Sequence, residues 1–211
     1  MMRTAESEHW TSQDKIVAFD PRPYTIVKSI AQRGILKWWS DPQRKGRLPA
    51  LVDCQAEQLQ ALWPDMALHE VRRENDRLRY KCLRHGARLR PIDGADLSGL
   101  YLDEFFPDAI KQPALAAYDA TVTMACPIYT LRHATDSDQV PVIFERIRVP
   151  LSEGGDRIDH LLTHVEIFCE DGGYRRENLL RAGLQMREYV VSAAISMAAV
   201  GLSPGAQIVD T

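Results

Sequence analysis

The 211-residue chain is 45% hydrophobic and 26% charged and carries a net charge of −3, ordinary values for a globular domain large enough to bury a full core. Such a composition excludes a mostly disordered or collagenous chain and supplies no overall pull toward nucleic acid or anionic lipid. Four cysteines, Cys54, Cys82, Cys126 and Cys169, form no Cys-x-x-Cys pair, which argues against a zinc ribbon or thioredoxin-type motif and suits a reducing cytoplasm.

In chain order, residues 1–23 are polar and end in the breaker Asp20-Pro21-Arg22-Pro23, so a flexible leader without a signal peptide is expected. Over 24–40, Val27, Ile30, Ala31, Ile35 and Trp38 recur at helical spacing and predict an amphipathic helix stopped by Asp41-Pro42. A breaker-rich connector over 41–49 and a short helical patch over 55–62 follow. Residues 66–73 and 78–85 read as the arms of a hairpin around Glu74-Asn75-Asp76-Arg77. Leu78, Tyr80 and Cys82 alternate with Arg79 and Lys81, which gives the second arm one wet face.

Gly86, Gly94 and Gly99 punctuate an irregular region, after which 108–125 reads as a helix with Pro113 near its start. Strands are predicted over 127–133, 140–151 and 157–169, the last two joined across Gly154-Gly155. Residues 175–200 read as a final helix, with Gly201 as its stop and Pro204 beyond. Its most apolar part, 190–202, falls short of the roughly 20 residues a bilayer span requires. This order predicts an α+β domain with one antiparallel sheet, organised as a leader (1–23), a domain (24–171) and a C-terminal helical extension and tail (172–211).

Enzyme templates are missing: there is no Gly-x-Ser-x-Gly, His-Glu-x-x-His, Walker loop or Rossmann glycine fingerprint. No catalytic residue and no metal ligand is assigned. His160 and His164 would lie about 13 Å apart along a strand, too far to share one ion, and are expected on the outer sheet face. Glu145 shares parity with Ile143, Ile147, Val149 and Leu151, so it should point inward. There it needs either a salt bridge or outward bulge, or a role as polar anchor in a ligand cavity. Eight basic residues against two acidic ones over 72–90 could attract phosphate or an acidic partner. They equally suit a solvated sheet face, and without interleaved aromatics nucleic-acid binding is the weaker reading.

Several local motifs, taken in order, resemble a divergent bacterial PAS-domain family of small, near-single-domain proteins. They are Leu36-Lys37-Trp38-Trp39, Gly46-Arg47-Leu48-Pro49, Gly86, Gly94-Ala95-Asp96-Leu97-Ser98-Gly99 and Leu102-Asp103-Glu104-Phe105-Phe106. Cys126-Pro127-Ile128-Tyr129, then Phe144 through Ser152, and finally Ile158-Asp159-His160-Leu161-Leu162 complete the set. The resemblance covers about residues 24–170. It implies a five-stranded antiparallel sheet with short helices over an inner face that can enclose a small-molecule cavity, flanked here by N- and C-terminal helices.

The implied function is sensing or protein interaction, with dimerisation through the helix at 24–40, where Trp38 and Trp39 are the candidate interface. Candidate cavity residues are Tyr80, Phe105, Tyr118, Ile128, Ile143, Glu145, Ile147, Val165 and Ile167. A cofactor is not identified: the Gly-x-Asn-Cys context of the light-sensing branch does not occur, and the helix expected over the sheet holds no axial histidine for haem. With no output domain in the sequence, output is expected to pass through a signalling partner or self-association. Two alternatives stand beside this: a small-molecule enzyme using Glu145 with His160 or His164, and a ligand-free interaction scaffold whose cavity has closed.

Overall fold

The structure is a computed structural model that describes residues 18–41, 44, 46–154, 157–169, 176–179 and 185–197. The hairpin signal marks one end of its sheet. Asn75 and Asp76 both take positive φ, 50° and 60°, the two-residue turn whose twist matches the flanking strands and whose strain Asn and Asp tolerate best. They join β2 (Met66–Glu74) to β3 (Arg77–His85). Strands β4 (Ile128–Thr135), β5 (Pro141–Leu151) and β6 (His160–Phe168) form an antiparallel meander, and β6 closes back onto β2.

The sheet then continues past the expected five strands. β7 (Gln185–Ser196) pairs antiparallel with β4, and β1 (Asp20–Pro23) pairs parallel with β7. The order is β1-β7-β4-β5-β6-β2-β3, a seven-stranded mixed sheet. Two expectations are corrected here. Over its described residues the C-terminal helix expected at 175–200 is a 3-10 turn, Arg176–Leu179, followed by β7. Val191, Ala193 and Ile195 alternate into the core, and the free edge of β4 offers them a ladder partner. Residues 20–23 of the expected leader are β1. The rest of the leader, 1–17, and the tail beyond 197 lie outside the described residues.

Helical segments cover both faces. On one face lie α1 (Ile30–Trp39) and α2 (Glu57–Gln60); α1 starts later than its apolar spacing suggests because Ser29 caps it, its hydroxyl accepting the Gln32 N–H at 3.1 Å. Ile35, Leu36 and Trp38 pack there on Tyr129, Leu131, Ile147, Val149 and Leu162. On the other face lie α3 (Arg90–Asp93), α4 (Leu102–Phe105) and α5 (Asp108–Thr123). Their residues Ile92, Leu102, Ala114, Ala117 and Tyr118 pack on Ala67, Tyr80, Ile128, Phe144 and Leu161. Among the described residues no helix is long and apolar enough to cross a membrane.

Neither sheet edge is a bare ladder. In β1, Pro21 and Pro23 remove two of four N–H donors. Along β3, Cys82 donates to the Leu100 carbonyl (2.9 Å) and accepts from Gly99 N–H (2.7 Å), while Lys81 bridges Tyr101. Beyond β3 the chain turns at Gly86, whose N–H donates to the Met66 carbonyl at 2.9 Å. A Cβ there would stand 2.3 Å from the Pro64 carbonyl oxygen and 2.7 Å from that of Met66, contacts with rigid backbone that cannot yield. Gly86→Ala is therefore expected to cost about 1–3 kcal/mol or more, read as a lowered urea midpoint; unchanged stability would contradict this close approach.

Candidate functional site

Strand β5 is central and buried on both sides, so its two rows of side chains define the two interiors of the molecule. On the α1 side Glu145 is fully buried. Its Oε1 accepts the backbone N–H groups of Lys28 (2.8 Å) and Ser29 (3.1 Å), at the start of α1, and the Tyr129 hydroxyl (2.8 Å). A carboxylate in this position matches the positive end of the helix dipole. Burial first, then this hydrogen bond, pushes the Tyr129 phenol pKa up and keeps it a donor. Gln32 Nε2 adds a bond to the Glu145 carbonyl at 2.9 Å. Glu145 thus points inward as its parity predicts, and it ties α1 to the sheet.

The opposite row of β5 carries Phe144, Arg146 and Arg148 toward α3, α4 and α5, where the structure encloses a cavity of about 70 Å³. Its sheet floor includes Ala67, His69, Arg132, Arg148, Thr163 and Val165, and Leu102, Phe106, Ile110, Ala114 and Tyr118 close it from the helical side. Arg148 is 3% exposed; its guanidinium lies over the Tyr118 ring at 4.7 Å, and Nη1 donates to Thr130 Oγ1 at 3.3 Å. His69 stands edge-on to the same ring, with centroids 5.2 Å apart. Burial above all, then the Arg148 charge, pushes the His69 pKa down to about 3. His85 Nδ1 accepts the Leu97 N–H (3.2 Å), which fixes the ring proton on Nε2, donated to Asp93 Oδ2 at 2.9 Å.

Three buried polar atoms on this floor have no hydrogen-bond partner among the described residues: Arg148 Nε, Thr163 Oγ1 and His69 Nδ1. Among the described residues seven further buried polar atoms without a partner lie elsewhere, Glu145 Oε2 and His164 Nδ1 among them; what marks this floor is that one of its three belongs to a buried guanidinium. A second concavity, about 770 Å³, is far larger but is an open surface groove around the 74–79 turn. Its main cation, Arg79, is already gripped by Asp103 (3.0 Å), Glu104 (2.5 Å) and Glu74 (3.2 Å). Size favours the groove and chemistry favours the cavity; the buried guanidinium decides for the cavity.

The residues nominated from sequence divide between the two faces. Tyr118 and Val165 line the cavity. Tyr80 stands behind Tyr118, with centroids 5.1 Å apart, and donates to Asp119 Oδ1 at 2.5 Å. Phe105 lies half-buried beside Phe106, Ile128 packs with Ala117 and Ala120, and Ile167 packs against the Phe144 cluster. Ile143, Glu145 and Ile147 are on the α1 face, away from the cavity. Trp38 is buried in the core, and Trp39, half-buried, donates its Nε1–H to the Pro150 carbonyl at 2.8 Å, so both tryptophans are engaged within their own chain. Half of the basic run over 72–90 meets acids: besides Arg79, Arg72 meets Glu70, Arg88 meets Asp65 and Arg90 meets Asp96.

His160 and His164 need correction. They pair with Leu151 and Ile147 across the β5–β6 ladder, and so share the face of Glu145. They are buried, at 9% and 2% exposure, because α1 and its neighbouring turns cover a face that strand alternation alone leaves wet. Burial pushes the His164 pKa down to about 4. Among the described residues no group of three His, Cys, Asp or Glu side chains could hold a metal ion. No family model, curated protein or solved structure matches the chain.

Removing the Glu145 carboxylate strands two backbone N–H groups and a phenol. Glu145→Ala is expected to destabilise by roughly 3–5 kcal/mol, with Glu145→Gln milder, as measured by chemical denaturation. An acid limb follows from the histidines. His69 and His164 stay unprotonated in the folded state down to pH about 3 and 4, whereas in the unfolded chain they take up protons below about pH 6.5. Stability is therefore full above pH 6.5 and falls on acidification by about 1.4 kcal/mol per pH unit for each residue. Urea midpoints at pH 7.5, 6 and 5 should show this slope, reduced in His164→Met; a flat profile would contradict it.

Proposed function

We propose that this chain is a PAS-type sensory or regulatory module of the cytoplasm, which binds a small ligand in the cavity beneath α5 and relays that event by association with itself or a protein partner. The observation that carries the reading is the cavity itself, a partly polar space with three buried polar atoms on its floor that no described residue partners. Supporting it, five strands form one antiparallel block, β4-β5-β6-β2-β3, and α3 to α5, inserted between β3 and β4, lie over one face. Motif positions fit as well: Leu102 and Phe106, which bound one matched segment, are cavity walls, and the segment from Phe144 is β5.

Volume narrows the ligand. About 70 Å³ is well short of the roughly 300 Å³ of a drug-sized site, so the expected ligand is a small metabolite. The same volume favours, as a second reading, the ligand-free scaffold; against it stands the buried guanidinium of Arg148, which meets no carboxylate among the described residues. Association through α1 would use its outward residues Ile30, Gly34 and Lys37, since Trp38 and Trp39 face inward.

Native mass spectrometry reads both parts of the proposal. One small adduct per chain, lost on denaturation and absent from Ala114→Phe, which fills the cavity, is the expected result, together with a change in oligomer size when the ligand is removed. A wild-type chain with no adduct, and no compound in a metabolite panel that raises its melting temperature, would overturn it.

A further inference from the structure

The floor of the cavity states what it lacks. Ala67, Thr163 and Arg148 stand directly opposite one another across β2, β6 and β5, which sets a hydroxyl beside a guanidinium on one face. Arg148 is 3% exposed, its guanidinium donates to a neutral hydroxyl, that of Thr130, at 3.3 Å, and among the described residues no carboxylate forms an ion pair with it. A buried lysine or histidine relieves its burial by losing its proton; a guanidinium cannot. The Tyr118 ring at 4.7 Å attracts the cation without supplying a counter-charge. Asp93, the lining carboxylate, accepts from His85. A buried charge in this position calls for an anion that no described residue supplies.

Resting on the reading of the chain as a ligand-binding module, we propose that the cavity binds a small oxyanion, either inorganic or the carboxylate of a short organic acid, gripped by Arg148 and Thr163. The planar fork of a guanidinium matches the paired oxygens of such a group. Leu102, Phe106 and Ala114 form an apolar wall on the helical side, suited to the short hydrocarbon part of an organic acid. The half-buried lining residues Ile110, Arg146 and Val165 place the entrance between α5 and strands β5 and β6.

The test uses the full chain in low-chloride buffer, with acetate, propionate and lactate in one arm, phosphate and sulfate in the second, and acetamide and propionamide as neutral matches in the third. Calorimetry and thermal shift should show one oxyanion bound per chain, with the first two arms deciding between organic and inorganic sources and the amides inert. Arg148→Met should weaken binding at least tenfold. Thr163→Val, which keeps the shape of the floor, should weaken it several-fold and covers the case in which Arg148→Met fails to fold. Binding of no oxyanion, equal binding of the amides, or undiminished binding by both variants would overturn the proposal. A neutral metabolite held in the cavity would sink the oxyanion and leave the sensory module standing; oxyanion binding with no change in association would do the reverse.

Discussion

Strand β5 is covered on both faces, and its two buried charges, Glu145 and Arg148, must be answered without bulk water. This constraint organises the molecule. On one side it carries a carboxylate, which is met by the N–H groups of Lys28 and Ser29, just before α1, and by the hydroxyl of Tyr129. On the other side it carries guanidiniums, and Arg148 meets no carboxylate among the described residues. One row of the strand has thus become a structural clamp and the other a candidate receptor. The two outcomes differ in whether the described residues supply a partner of opposite charge or hydrogen-bond donors.

The clamp also explains why α1 sits where it does. Ser29 caps the helix and stands next to Lys28, whose N–H reaches the same carboxylate oxygen. Gln32, one turn further on, grips the backbone of the residue that bears it. Apolar packing of Ile35, Leu36 and Trp38 holds the helix on the sheet, but it is non-directional; the polar contacts fix where the helix begins.

Much of this fold is legible in the sequence. Alternation and turn chemistry locate β2 to β6 within a few residues, and the Asn75-Asp76 turn is predicted by the residues it needs. What alternation could not supply was the number of covered faces. Counting one face as inner put Ile143, Glu145 and Ile147 in the same interior as Val165 and Ile167, which the register sets on opposite sides, and placed His160 and His164 outside. The C-terminal strand was missed because Ala193, Ala194, Ser196 and Met197 suit a helix. The period-two burial of Val191, Ala193 and Ile195 was present but is decisive only once β4 offers a free edge. The cavity cations were missed for a related reason. Arg146 and Arg148 look like the wet row of β5 until α5 lies over them, although Val142 and Phe144 in the same row were the signal that this row is covered.

The edges of the sheet carry a different consequence. Exposed edge strands are where β-rich chains polymerise, since a neighbour can continue the ladder. Here the prolines of β1 interrupt one margin, and the 99–101 segment occupies part of the other. Each margin therefore offers an incoming strand a shorter ladder than the strand lengths alone would provide.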